Sequence, residues 1–346
     1  MRLSFWNKAL AWKEWRQNRW KFWGIGVLMS MTPIMGTVFY FIIRACFPDA
    51  YWGGAGNPSL WSRHLDSMIY VEPSSTSMGV LAIIMALGLG VLLIAGERSP
   101  NTLEFLAALP LSRKEIAGTK FLVGAGTILG VMVVNLVFML VMALLLPAGY
   151  TPAAACTWFA VTTGVLLALY SLGFLVAVVT GNLLASLIGA FAVAYSPEVI
   201  AELIRELLEV FRLLPVDYPH PLSQALTDIG LYLTLPSYIV NYQWSFRNAV
   251  WLVPLLLLAG AALFSLGLQL FRRNPLERTG QVLMLGDARR IFQVGISFFG
   301  AALAAIIAGN ISSLSDTGVQ FVVFLGVFLV TWAVIDLYWR GRNRLG

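Results

Sequence analysis

Residues able to carry chemistry are scarce in this chain, and the most organised group of them lies between two long apolar runs. That stretch is Glu97–Lys120, ERSPNTLEFLAALPLSRKEIAGTK. Glu97 and Arg98 close the apolar run before it, and Ser99-Pro100 breaks the helix. Asn101 with Glu104 three residues on is an N-cap pattern, and Leu103, Leu106 and Ala107 give the short helix an apolar side. Pro110 stops that helix, because it has no N–H to donate and clashes with the preceding turn. Ser112 and Glu115 then form a capping box of the S-x-x-E type, which starts the next helix. The expected product is a short helix across the inner membrane surface, pinned between two spanning helices. It cannot move without moving both neighbours, so it suits the transmission of force rather than bond chemistry. An interfacial loop without a partner is the plainer reading, and spacing alone leaves it open.

Elsewhere the catalytic inventory is nearly empty. His64 and His220 have no second ligand at metal spacing. The motifs H-E-x-x-H, G-x-S-x-G and G-x-x-x-x-G-K-[ST] are absent, so a metalloprotease, a serine hydrolase and a P-loop ATPase are not indicated. Cys46 and Cys156 both fall near the outer face, where two unpaired thiols are the expected reading and a disulfide in an oxidising compartment is the alternative left open. No catalytic, metal or cofactor site is expected.

The elements around the segment follow from composition. Hydrophobic residues make up 59% and charged ones only 12% of 346 residues, against roughly a quarter charged in soluble domains. The net charge of +6 does not point to nucleic acid, since the basic residues fall in gaps between apolar runs instead of on one face of a soluble domain. The expected class is an all-α integral membrane protein, residues 1–346 forming one transmembrane domain. About eight runs approach the roughly 20 residues a spanning helix needs: Phe22–Ile43, Met78–Gly96, Phe121–Leu146, Trp158–Val179, Leu183–Ser196, Ala249–Phe271, Ile291–Gly309 and Val319–Trp339. No cleavable leader is expected. With an inner N-terminus, all but Arg44, Arg63, Arg205, Arg212 and Arg247 of the 23 Lys and Arg residues fall on the inner side. Both termini are therefore expected in the cytoplasm.

Residues 1–21 alternate Trp with Lys and Arg and are expected as an interfacial helix, rings toward acyl chains and charges toward phosphate. Residues 197–247 are expected outside. There Ser196 reads as an N-cap and Pro197 as the first helical residue. Ile200, Leu203, Ile204, Leu207, Phe211 and Leu214 recur at helical spacing opposite Glu202, Arg205, Glu206, Glu209 and Arg212, which gives an external amphipathic helix. Residues 231–240, apolar, could be re-entrant. No Asp, Glu, Lys or Arg falls in the middle of any assigned span, and Asp336 sits near the inner end of the last. The polar interior groups are Asn135, Thr162, Thr163, Ser171, Ser265 and Gln269. Ion- or proton-coupled carriers usually need ionisable groups at membrane depth, so the spans can line a pathway without an engine of their own.

The acidic-basic pair ending the second run, followed by NTLEFLAALPLSRKEIAGTKF, resembles the permease subunits of type-2 ABC transporters. Thr102, Leu103, Glu104, Leu109, Pro110, Ser112, Arg113 and Lys120 match the family segment as they stand, while Asn101 replaces a frequent Gly. The basic, aromatic N-terminus resembles that family's connecting helix. The close match covers about a tenth of the chain. The family usually has six spans, so eight suggests a subtype with two further C-terminal helices. The resemblance implies a permease subunit of an ATP-driven exporter in a plasma membrane, such as a bacterial inner membrane. Residues 97–118 would be its cytoplasmic coupling segment, with Glu97, Arg98, Thr102, Leu103, Glu104, Leu106, Leu109, Pro110 and Arg113 meeting the ATPase. The implied partners are cytoplasmic ABC ATPase subunits holding the ATP and Mg, a second permease subunit (identical or different) and membrane lipid. A stand-alone secondary transporter or channel and a non-transporting scaffold are the competing readings.

Overall fold

The computed structural model describes residues 6–46, 77–97, 111–145, 152–211, 213, 221–240, 245, 247–273, 288–309 and 317–343. Among the described residues all regular structure is helical. The helices are α1 (Lys8–Cys46), α2 (Ser77–Ala95), α3 (Arg113–Leu145), α4 (Pro152–Val179), α5 (Leu183–Val210), α6 (Pro221–Leu233), α7 (Ser237–Val240), α8 (Ala249–Arg273), α9 (Ala288–Gly309) and α10 (Thr317–Asn343). Five of them, α3, α4, α5, α8 and α10, are long and apolar enough to cross a membrane. Two shorter apolar stretches, Gly79–Ala95 and Gln293–Ala308, lie in α2 and α9. The first expected span falls inside α1.

Two expected boundaries are absent. The interfacial helix and the first span are one helix, α1, 39 residues long. Asn7 starts it, its Oδ1 accepting from the N–H groups of Ala9 at 3.0 Å and Leu10 at 3.2 Å. Nothing between Lys8 and Phe22 breaks helical geometry, so a change from amphipathic to apolar sequence alters what the helix faces without ending it.

Likewise α5 runs unbroken through Pro197, where a separate external helix was expected to begin. The N-cap reading of Ser196 is therefore corrected. Proline removes a donor from the helix interior, and the next amide is met from outside, Glu198 N donating to Thr234 Oγ1 at 2.9 Å. That side-chain contact supplies locally what a cap would have supplied. Residues 231–240 contain the end of α6, a turn and α7.

The chain separates into two compact units. One is drawn from Met1–Ala194 and Leu235–Met284, the other from Tyr195–Thr234 and Leu285–Gly346. The first is built around α4, whose residues are buried from Val161 to Phe174 with little interruption. Glycine permits its closest crossing: a Cβ on Gly173 would lie 2.4 Å from the Leu87 carbonyl oxygen, and one on Gly90 2.4 Å from that of Tyr170. The backbones of α2 and α4 are thus in contact. Aromatic rings pack together in this bundle, with Phe121 stacked on Phe264 at 3.8 Å between centroids, and Tyr170 and Phe174 beside Phe121 at 4.9 and 5.6 Å.

The second unit rests on the amphipathic face of α5. Leu203 and Leu207 are buried with Ala302 and Ala305, and Phe211, Phe298, Ile306 and Phe324 pack against them. Leu203, Leu207 and Phe211 of the expected apolar stripe therefore face a core, whereas Ile200 stays exposed and Leu214 lies outside the described residues. Its polar side carries Arg205 in ion pairs with Glu202 and Glu209.

Candidate functional site

Residues 98–110 lie outside the described residues, so Arg98, Thr102, Leu103, Glu104, Leu106, Leu109 and Pro110 receive no structural account. His64 and His220 lie outside as well. Cys156 carries a free, exposed thiol. Both ends of the expected coupling segment are described, and both are anchored.

At the far end the capping box forms as its spacing predicts. Glu115 N donates to Ser112 Oγ at 3.1 Å, and the Glu115 carboxylate accepts from Ser112 N at 2.9 Å. The Ser112 backbone N–H, then its hydroxyl, holds the Glu115 carboxyl below its ordinary range. Arg113 next to it donates from Nη1 to the Arg272 carbonyl at 3.3 Å. This places a cation on the negative end of α8.

At the near end Glu97, just past α2, belongs to a buried cluster of four charges. Lys120 of α3 stands at the centre, its Nζ 2.9 Å from Glu14 Oε1 and 2.8 Å from Glu97 Oε2. Lys13 bridges the same two carboxylates from the rim, 3.2 Å from Glu14 Oε1 and 3.2 Å from Glu97 Oε1. The Lys120 and Glu14 side chains are 0% exposed and Glu97 is 8% exposed. Two cations meet two anions, so the cluster is neutral as a whole. Asn18 completes it, donating from Nδ2 to Glu14 Oε2 at 3.4 Å.

Helical periodicity sets this geometry. Lys120 follows Ile116 and Ala117 by one turn on the buried face of α3, and Glu14 shares the buried face of α1 with Leu10, Ala11, Asn18 and Phe22. Desolvation pushes the Glu97 carboxyl up, but the charges and hydrogen bonds of Lys120 and Lys13 outweigh it and leave the group lowered. A lowered carboxyl contributes stability above its unfolded pKa, and that contribution is lost as pH falls through the folded value. At neutral pH the lock is closed.

The cluster borders the aromatic group. Tyr170 donates its hydroxyl to the Phe121 carbonyl at 3.0 Å, next to Lys120 in sequence. Deeper in α3, Asn135 is fully buried with neither amide atom hydrogen-bonded among the described residues. Ser171 bonds the Leu167 carbonyl of its own helix at 2.8 Å, not a neighbouring helix.

Of the expected site residues, Glu97 and Arg113 are seen, each tied to a different helix. Lys13, Glu14, Asn18 and Tyr170 were not singled out from sequence, and Lys120 was noted only as a match to the family segment. A signal for two of them was there. Glu14 is the sole acid in the first 48 residues, and Lys120 falls at helical spacing inside an apolar face.

No group of His, Cys, Asp or Glu among the described residues could hold a metal ion. What these elements define is a helical membrane protein with an ion-paired joint where α1, the end of α2 and α3 meet. Residues 8–276 match the family described as ABC-2 family transporter protein, and the chain belongs to that family; it is an ABC transporter permease. It is 26% identical to the probable ABC transporter permease YtrC of Bacillus subtilis (strain 168), covering 85% of this chain and 86% of that one. It is 24% identical to the probable permease YtrD of the same organism, covering 90% and 94%. No solved structure matches.

Proposed function

We propose that this chain is the permease subunit of an ATP-driven exporter, moved by separate cytoplasmic ATPase subunits through residues 97–118. The reading rests chiefly on one observation: Glu97, the first residue of that segment, is locked with Lys120 and Glu14. A push on the segment would reach α1, α2 and α3 at once through Glu97, and α8 through Arg113. In this reading Thr102–Leu109 docks in a groove of the ATPase, with Leu103, Leu106 and Leu109 as its apolar contacts and Glu104 as its cap. Arg98 and Pro110 frame that helix. ATP and Mg would reside in the ATPase and none in this chain. A second permease, identical or different, would complete the pathway, in a plasma membrane of the bacterial inner type with both termini cytoplasmic.

Leu106→Asp tests the coupling role. Loss of a buried interface anchor costs about 2 kcal/mol or more, near thirtyfold in affinity. The variant should insert and purify normally while ATPase recovery in pull-down and transport both fall. Wild-type recovery and transport would remove the docking role from this segment.

A further inference from the structure

The ion cluster uses one face of α1 and leaves the other exposed. That other face carries Trp12, Trp15, Trp20 and Trp23, between 48% and 76% exposed, with Arg16 and Arg19 between them. The Arg16 guanidinium lies 5.1 Å from the centre of the Trp12 ring and that of Arg19 5.6 Å from Trp20. Neither arginine has an acidic partner among the described residues. Glu14, the only acid of α1, is turned inward and neutralised.

The position of this face follows from two contacts. A Cβ on Gly26 would lie 3.1 Å from Val131, and Asn7 N donates to Thr119 Oγ1 at 3.0 Å. From Gly26 back to Asn7 is about 28 Å of helix, but from Val131 back to Thr119 only about 18 Å. The start of α1 therefore runs oblique to α3 and does not project past it. Asn7 and Glu14 both lie beside Thr119 and Lys120, where the apolar stretch of α3 begins. The first turns of α1 thus stand at the headgroup layer that such an edge meets, and Trp20 and Trp23 follow toward the acyl region. Tryptophan prefers that layer, and unpaired arginine fits phosphate.

We infer that the exposed face of α1 from Trp12 to Trp23 is a binding site for anionic phospholipid headgroups, Arg16 and Arg19 holding the phosphate and the tryptophans the glycerol and upper acyl region. The cation–ring stacking fixes both arginines before the lipid arrives. The site does not depend on which ATPase or cargo the permease serves.

The test uses the purified full chain in neutral detergent, titrated with phosphatidylglycerol or phosphatidylcholine carrying brominated acyl chains, which quench tryptophan on contact. Brominated phosphatidylglycerol should quench at lower mole fraction, and high salt should remove the preference. Arg16→Gln with Arg19→Gln should reduce that preference about fivefold for each charge removed, while Arg16→Lys with Arg19→Lys should largely keep it. Trp12→Phe, Trp15→Phe, Trp20→Phe and Trp23→Phe together should remove most of the lipid-selective signal. Millimolar glycerol phosphate should not compete. Equal quenching by both lipids, an unchanged preference in the glutamine variant, or competition by glycerol phosphate would each overturn the site. Loss of a co-purifying protein from the glutamine variant with lipid preference intact would assign the face to a protein partner instead.

Discussion

The crossing of α2 with α4 and the joint of α1, α2 and α3 are held by opposite means. At the crossing, Gly90 and Gly173 bring backbone against backbone, and contact is dispersion at close range. At the joint, Lys120 and Glu14 are as deeply buried as the glycines, yet four full charges hold the helices together. Glycine packing has one geometry and fails when anything is added. A buried ion cluster costs desolvation to build and is strongly directional, so each partner depends on the others. One is suited to staying shut, the other to passing on a displacement.

The largest effect should come from the crossing. Gly173→Leu would place a branched side chain where a Cβ alone would be 2.4 Å from the Leu87 carbonyl oxygen. Backbone cannot rotate aside as a side chain can, so α2 and α4 must separate. We expect about 5 kcal/mol or more, among the largest single-residue effects. The expected result is little monodisperse protein on gel filtration. Wild-type yield and melting temperature would mean that the helices do not meet at this crossing.

Next in size is the joint. Lys120→Met removes the central cation and leaves Glu14 and Glu97 to the half-exposed Lys13. Breaking a buried pair from one side costs about 3–5 kcal/mol. Glu14→Gln added to Lys120→Met should restore part of that loss, since the uncompensated carboxylate disappears with its partner. Thermal unfolding of the two variants against wild type reads the difference directly. If the double variant is less stable than Lys120→Met by the full cost of a second independent mutation, the two residues are not coupled.

What was legible in the sequence follows the same division. Apolar runs announce helices by length, and the capping box at Ser112–Glu115 formed where its spacing put it. Both are local signals, settled within a few residues. Pro197 misled because its local chemistry fits a helix start and disfavours a helix interior, while Thr234, 36 positions away, met the Glu198 amide. The joint was illegible for the same reason: Glu14 and Lys120 are separated by 106 positions, and no rule of spacing pairs them. The stripe at Leu203 and Leu207 was visible as a stripe, but the sequence could not say that α9 would cover it. Residues 98–110, on which most of the expected site falls, lie outside the described residues, and the coupling role proposed for them draws on the anchored ends alone.

The smallest effect sharpens the comparison most, because it concerns glycines that a motif would have chosen. Gly126 and Gly130 form G-x-x-x-G in α3, the spacing associated with close helix pairing in membranes. Among the described residues neither has an atom from outside its own helix backbone within 4 Å of where its Cβ would stand, whereas a Cβ on neighbouring Gly124 would lie 2.3 Å from the Tyr170 hydroxyl oxygen. Spacing alone thus points at the wrong glycines for packing among the described residues. Gly126→Ala should be neutral or stabilising by up to about 1 kcal/mol, the propensity difference in a helix interior. Gly124→Ala should destabilise, since Tyr170 must give up its bond to the Phe121 carbonyl or shift the rings stacked beside it. Melting temperatures in detergent should separate the two variants in sign. Should Gly126→Ala retain its stability but lose transport, that face of α3 must meet something beyond the described residues, and a second permease subunit becomes the first candidate to test there.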